Sequence, residues 1–170
     1  MPTDRSDKLH ADWRTSSEKF DYFILGIVCA ICAFIAQSYK PGKLGINPTT
    51  LELVALLVFV LSVVAGFRRI EQTLLVTVLN QRELHAYEAR GGMVSKMPEG
   101  RTLINEATGQ LFTPQQAEGR VAELTKTIRE TRPMLEAAKV AAHTQYKRRN
   151  SLALAAFLLL LAARVWSAYA

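Results

Sequence analysis

Three long apolar blocks, separated by strongly polar stretches, limit what this chain can fold into. The blocks cover residues 23–36, 51–67 and 152–163. A helix that crosses lipid satisfies its own backbone hydrogen bonds and needs about 20 apolar residues to span the hydrocarbon. Hydrophobic types make up 49% of the 170 residues, but their clustering excludes a single water-soluble core. The sequence predicts an all-α integral membrane protein with three transmembrane helices.

The predicted organisation has six parts along the chain. They are a cytoplasmic amino-terminal tail (1–19), transmembrane helix 1 (20–37), an external loop (38–50), transmembrane helix 2 (51–67), a cytoplasmic antiparallel helical hairpin (68–150) with its tip at 91–113, and transmembrane helix 3 (151–170). A cleaved signal peptide is the competing interpretation of the first block. The acidic residues in the tail and the lack of a small-residue cleavage site after the block disfavour it.

Capping signals predict where the helices begin and end. A Thr followed three residues later by Glu or Gln forms a capping box, and such pairs are Thr15–Glu18, Thr49–Glu52 and Thr113–Gln116, the last with Pro114 at the first helical position. Span two is expected to continue as one helix into the cytoplasm until Gly91-Gly92 ends it.

Lys and Arg residues are concentrated on one side of the spans. The tail holds four of them, whereas the loop 38–50 holds only Lys40 and Lys43. Cytoplasmic segments carry this excess, so the amino terminus and residues 68–150 are expected in the cytoplasm of a bacterium, with the carboxyl terminus outside its inner membrane. A basic collar beside spans two and three is expected to face lipid and contact anionic headgroups; it consists of Arg68, Arg69, Lys147, Arg148 and Arg149.

The segment between spans two and three has the pattern of two paired helices. Apolar residues recur along the first arm at Ile70, Leu74, Leu75, Val78, Leu79, Leu84 and Tyr87. A heptad on the return arm predicts a coiled-coil-like core at Val121, Leu124, Ile128 and Leu135. Pro133 is expected to kink the return helix. The tip is expected either as a small β-hairpin with its turn at residues 106–109 or as a flexible loop, since an isolated hairpin is marginal in water.

Few residues in the chain offer catalytic or metal chemistry. Cys29 and Cys32 have the C-x-x-C spacing but lie in mid-span, where a thiolate is disfavoured, so packing is the preferred interpretation. Arg164 lies inside span three near its outer end, where it is expected to anchor the helix at the interface and has Glu52 as a candidate partner. The predicted topology places the three His residues too far apart for a metal site. No cofactor and no enzymatic activity are expected.

The net charge of +6 does not indicate nucleic-acid binding, because aromatic side chains for base stacking are nearly absent among the basic residues. The preferred hypothesis is a non-enzymatic membrane subunit that self-associates, or docks a membrane-complex partner, through its cytoplasmic hairpin, with a pore as one form of the oligomer. A membrane-protein insertion factor is the second hypothesis. The third is a membrane-disrupting effector, since the outline is similar to the SLATT group of predicted pore-forming effectors in bacterial conflict systems, with a third span added.

Overall fold

A computed structural model describes residues 4–39, 41–97, 109 and 111–169, with side chains from residue 19 onward. Over these residues the chain forms three α-helices and no β-strand. They are α1 (Asp4–Ser38), α2 (Pro48–Lys96) and α3 (Pro114–Tyr169). Each is long and apolar enough to cross a membrane, which confirms the prediction of an all-α chain with three candidate spans.

The described chain divides into two compact units, and the two longest helices, α2 and α3, each contribute residues to both. One unit comprises the described chain up to Ile70 together with the part from Ala142 onward, and the other is Glu71–Ala141. In the first unit the three apolar segments pack around a core of Val28, Ile35, Phe59 and Ala156. Only 11–28% of the most apolar window of each helix is buried inside the molecule. The outward apolar surface that remains is the kind that lipid covers.

The second unit has a thin core made by the later part of α2 and the earlier part of α3. Leu79 packs with Leu135 and Ala138 in one cluster. Ala86 packs with Leu124 and Ile128 in another. Each cluster combines large side chains with one buried alanine, which is Ala138 on α3 in the first cluster and Ala86 on α2 in the second.

Two of the three predicted helix starts are wrong, and one is confirmed. Helix α1 begins at Asp4 rather than at the Thr15–Glu18 box, since no Pro or Gly interrupts the segment before it. Helix α2 begins at Pro48, because Asn47 is the residue that caps it: Asn47 Oδ1 accepts hydrogen bonds from Thr50 N at 2.8 Å and Thr50 Oγ1 at 2.9 Å. An Asn cap followed by Pro is a strong start signal.

The start of α3 has the predicted capping box. The backbone N–H of Thr113 donates to Gln116 Oε1 at 2.9 Å, and the N–H of Gln116 donates to Thr113 Oγ1 at 3.3 Å. Helix α3 then runs from Pro114 through Pro133 to Tyr169. The predicted kink at Pro133 stays a prediction.

The predicted stop at Gly91-Gly92 is wrong, because α2 continues to Lys96. Glycine at a helix end acts by adopting a left-handed conformation, and neither Gly91 nor Gly92 has a positive φ. Ala89 and Met93 on either side of the pair both pack against the Ala86 cluster, and this packing outweighs the propensity cost of about 1 kcal/mol per glycine. The predicted β-hairpin lies almost wholly outside the described residues; Gly109, which ends its turn, has φ +69°.

Candidate functional site

A buried carboxylate joins all three helices of the first unit. Arg149 Nη1 on α3 donates to Asp21 Oδ1 on α1 at 2.9 Å, and Arg69 Nη2 on α2 lies 2.7 Å from Asp21 Oδ2. Asp21, Arg149 and Arg69 have side-chain exposures of 8%, 2% and 15%. Each carboxylate oxygen therefore faces a different guanidinium group in a setting that is largely closed to solvent.

Further contacts are made to the two guanidinium groups and to the backbone of Arg149. The ring of Tyr146 lies 4.2 Å from Arg69 Cζ and 5.4 Å from Arg149 Cζ, both measured to the ring centroid, within the range of cation–π attraction. Ser62 Oγ donates to the carbonyl oxygen of Arg149 at 2.8 Å. We call these five residues, Asp21, Ser62, Arg69, Tyr146 and Arg149, the Asp21 cluster.

Gly66 makes room for the Arg149 side chain. A Cβ atom at this position would lie 2.9 Å from Leu25 Cδ1 and 3.4 Å from Arg149 Cδ. The two small residues on α2, Ser62 and Gly66, thus serve contacts within the molecule. Ser62 bonds to the Arg149 backbone, and Gly66 leaves space for the aliphatic part of the Arg149 side chain. Close approach of helices at such positions is common in membrane bundles.

The electrostatics of the cluster depend on pairing. Removing an ion from water costs several kcal/mol, and a buried ion pair offsets this only when its geometry is good. Arg149 meets that condition through Asp21 and through Asn150, whose Oδ1 accepts from Nε at 3.1 Å. Its Nη2 is buried and donates to no described residue. Asp21 is therefore the principal compensation for the Arg149 charge.

The cluster corrects the predicted collar. Arg69 and Arg149 were expected to face lipid, but both turn inward to Asp21, while Arg68, Lys147 and Arg148 are exposed. Sequence reasoning treated Asp21 only as the edge of span one and missed its role. The available signal was its position: the predicted spans place residues 20, 68 and 150 on one side of the membrane, so one acid lies level with two basic groups.

The structure also brings Glu52 and Arg164 together at the other end of the same unit. Arg164 Nε lies 3.3 Å from Glu52 Oε1, with side-chain exposures of 54% and 13%. Asn47 already caps α2, so the Glu52 carboxylate is available for this pair. At 1.5 Å per residue, the two charged levels are about 26 Å apart along α2 and about 22 Å apart along α3, close to the thickness of a hydrocarbon core.

Most residues of the predicted hairpin core are buried within the second unit. Leu124, Ile128 and Leu135 are buried, and Val121 is half-buried. On α2, in contrast, Leu79 is the one buried member of the seven apolar positions expected on the first arm. Leu74, Leu75 and Val78 are exposed by 59%, 43% and 61%. We call these three residues the Leu74 stripe.

The described side chains include no group of three His, Cys, Asp or Glu residues placed to hold a metal ion. Cys29 and Cys32 are free thiols, both half-buried in α1. Comparison with protein-family models, with curated proteins and with solved structures gave no match.

Proposed function

We propose that this chain is a non-enzymatic, three-span membrane protein that assembles with copies of itself through the Leu74 stripe. In this proposal the stripe lies in the cytoplasm beside a bacterial inner membrane, as the excess of Lys and Arg on that side supports. Exposed apolar patches outside a membrane mark interaction sites. The observation that carries the proposal is the exposure of Leu74 and Val78, two large apolar side chains just beyond span two.

The second unit is proposed to be an antiparallel helical hairpin. Its contact clusters support this arrangement, because Ala86 packs with Leu124 and Ile128 whereas Leu79 packs with Leu135 and Ala138. Positions therefore rise along α3 as they fall along α2. A hairpin with so thin a core gains from further packing against a partner.

A second copy is the partner that the stripe fits. Two copies in one membrane hold their stripes at the same height, since each stripe follows its own span by the same number of residues. A two-fold interface then places like residues opposite each other. Leu74 and Val78 have the spacing of consecutive core positions of a heptad, with Glu71 before them and Gln81 after them. Because the apolar stripe is short, we expect a modest affinity between the two copies.

Mass measurement in detergent tests the proposal. Native mass spectrometry over a range of protein concentrations should show a dimer or larger species whose fraction rises with concentration. Val78→Glu should raise the dissociation constant by about tenfold or more, because like charges facing each other across an interface cost several kcal/mol and each 1.4 kcal/mol is tenfold. Glu71→Leu should lower it, since the substitution extends the stripe and removes facing carboxylates.

Asn80→Glu is the matched control. It adds the same charge to an exposed position of α2, about 120–160° around the helix from the three stripe residues at 100° per residue. It should leave the dissociation constant unchanged. A single monomer mass at every concentration would contradict self-association, and an equal effect of Asn80→Glu would contradict the stripe as the interface.

A further inference from the structure

The contacts of the Asp21 cluster show which parts of the three helices lie beside one another. Asp21 bonds to both Arg69 and Arg149, so the three helices meet at this level. A residue up to two positions away lies within about 3 Å of the cluster residue along its own helix. Four exposed basic side chains occur within that distance on the three helices. We call them the headgroup ring; they are Lys19, Arg68, Lys147 and Arg148.

The aromatic residues at this level are those of a membrane interface. Phe20, Tyr22 and Phe67 are exposed by 53%, 57% and 58%, and each is adjacent to, or within three residues of, a member of the ring. Aromatic and basic side chains together are typical of the depth at which lipid headgroups lie. The apolar spans begin on one side of this level.

The charge at this level differs from that at the opposite end. Within two residues of Asp21, Arg69 and Arg149 there are six basic and two acidic residues, a net charge of +4. Within two residues of Glu52 and Arg164, on the two helices that carry this pair, there is one of each, a net charge of zero. One of the two acids at the first level, Asp21, is already occupied by Arg69 and Arg149, so it does not neutralise the exposed ring.

We propose that the headgroup ring binds the phosphate groups of anionic phospholipids in one leaflet, with Lys19, Arg68, Lys147 and Arg148 as the ligating side chains. The buried pairs of the Asp21 cluster hold the three helices together, and the ring residues beside them project outward from each helix. Because the cations lie on three helices, they take separate lipids around the molecule rather than one lipid in a pocket. The proposal concerns lipid selection and is independent of self-association through the Leu74 stripe.

Lipid retention by the full chain tests this proposal. The protein is purified in detergent, mixed with equal amounts of phosphatidylglycerol and phosphatidylcholine, and analysed by native mass spectrometry. Phosphatidylglycerol should be retained over phosphatidylcholine, with about a fivefold contribution from each cation. Because each cation takes its own lipid, replacing all four ring residues by Gln should reduce that preference by about fivefold for each lipid position.

A matched variant replaces four exposed basic residues of the second unit, Arg82, Lys126, Arg129 and Arg132, by Gln. It loses the same charge and should keep the lipid preference. Circular dichroism reports whether each variant retains its helices. An unchanged preference in the ring variant, or an equal loss in the matched variant, would overturn the proposal. So would full displacement of the lipid by inorganic phosphate at a concentration equal to that of the lipid, since free phosphate would then be the ligand. The same spectra report oligomer mass, so failure of the ring and failure of the stripe are distinguished.

Discussion

The first unit contains two charged levels that use the same chemistry in different surroundings. At one level Asp21 pairs with Arg149 and Arg69, and the Arg149 side chain is 2% exposed. At the other level Glu52 pairs with Arg164, whose side chain is 54% exposed. The contact distances are similar, at 2.9 Å for Asp21–Arg149 and 3.3 Å for Glu52–Arg164. The two levels therefore differ in the burial of their charged side chains and not in the contact distance.

This difference determines what each pair contributes. An exposed ion pair gains little, because water and salt screen it and two long side chains lose freedom. A buried pair also gains little relative to apolar residues, but breaking it leaves an uncompensated charge. The Asp21 cluster should therefore be intolerant of single substitutions, whereas the Glu52–Arg164 pair should tolerate them.

The largest effect is expected for Asp21→Asn. This change keeps the size of the side chain but leaves Arg149 without its ion-pair partner, and Arg149 Nη2 already donates to no described residue. The free energy of unfolding should fall by about 3–5 kcal/mol, measured by denaturant titration in mixed micelles. A loss below about 1 kcal/mol, the range of exposed pairs, would remove the distinction between the two levels.

The double variant Asp21→Asn with Arg149→Met is the control for the cause of that loss. Replacing Arg149 removes the stranded charge, so the double variant should be more stable than Asp21→Asn alone. Equal or lower stability would mean that the carboxylate acts through something other than the Arg149 charge.

An intermediate effect is expected for Gly66→Val, which tests the packing around the buried level. A Cβ at Gly66 already meets Leu25 and Arg149, and Val adds two methyl groups, so the free energy of unfolding should fall by about 1–3 kcal/mol. Gly26→Val is the matched control on α1, where a Cβ meets nothing within 4 Å. It should be neutral or stabilising by a few tenths of a kcal/mol, since Val has a better helix propensity than Gly. Equal losses in both variants would show that the cost arises from the helix backbone and not from the approach to Arg149.

The parts of the fold that sequence reasoning predicted well depend on repeated local signals. Three apolar blocks predict three candidate spans, and a heptad predicts that Leu124, Ile128 and Leu135 are buried. Both signals sum over many residues, so one misread position does not change the result. The start of α3 was also predictable, because the Thr113–Gln116 box is followed at once by Pro114.

The candidate site was less predictable, because its key contact joins residues 128 positions apart. Arg68 and Arg69 show the difficulty: neighbouring residues on a helix point about 100° apart, and only the packing of α2 decides which one turns inward. Helix ends raise the same problem on a smaller scale. Asn47 and Thr49 are both capping residues by type, and the choice between them depends on the following Pro48 and on the loop before it.

The smallest effect is expected for Arg164→Gln, and a double-mutant cycle with Glu52→Gln makes it informative. The cycle isolates the interaction between Arg164 and Glu52 from the other contacts that each residue makes. Because Arg164 is 54% exposed, the coupling energy should lie at about 0.2–1 kcal/mol and should weaken as salt is raised. The same measurements at two salt concentrations on Asp21 and Arg149 should give a larger coupling energy with little salt dependence, since that pair is closed to solvent. If the two cycles gave equal energies and equal salt dependence, burial would not be what distinguishes the two levels, and the expected ranking of the variants would fail with it.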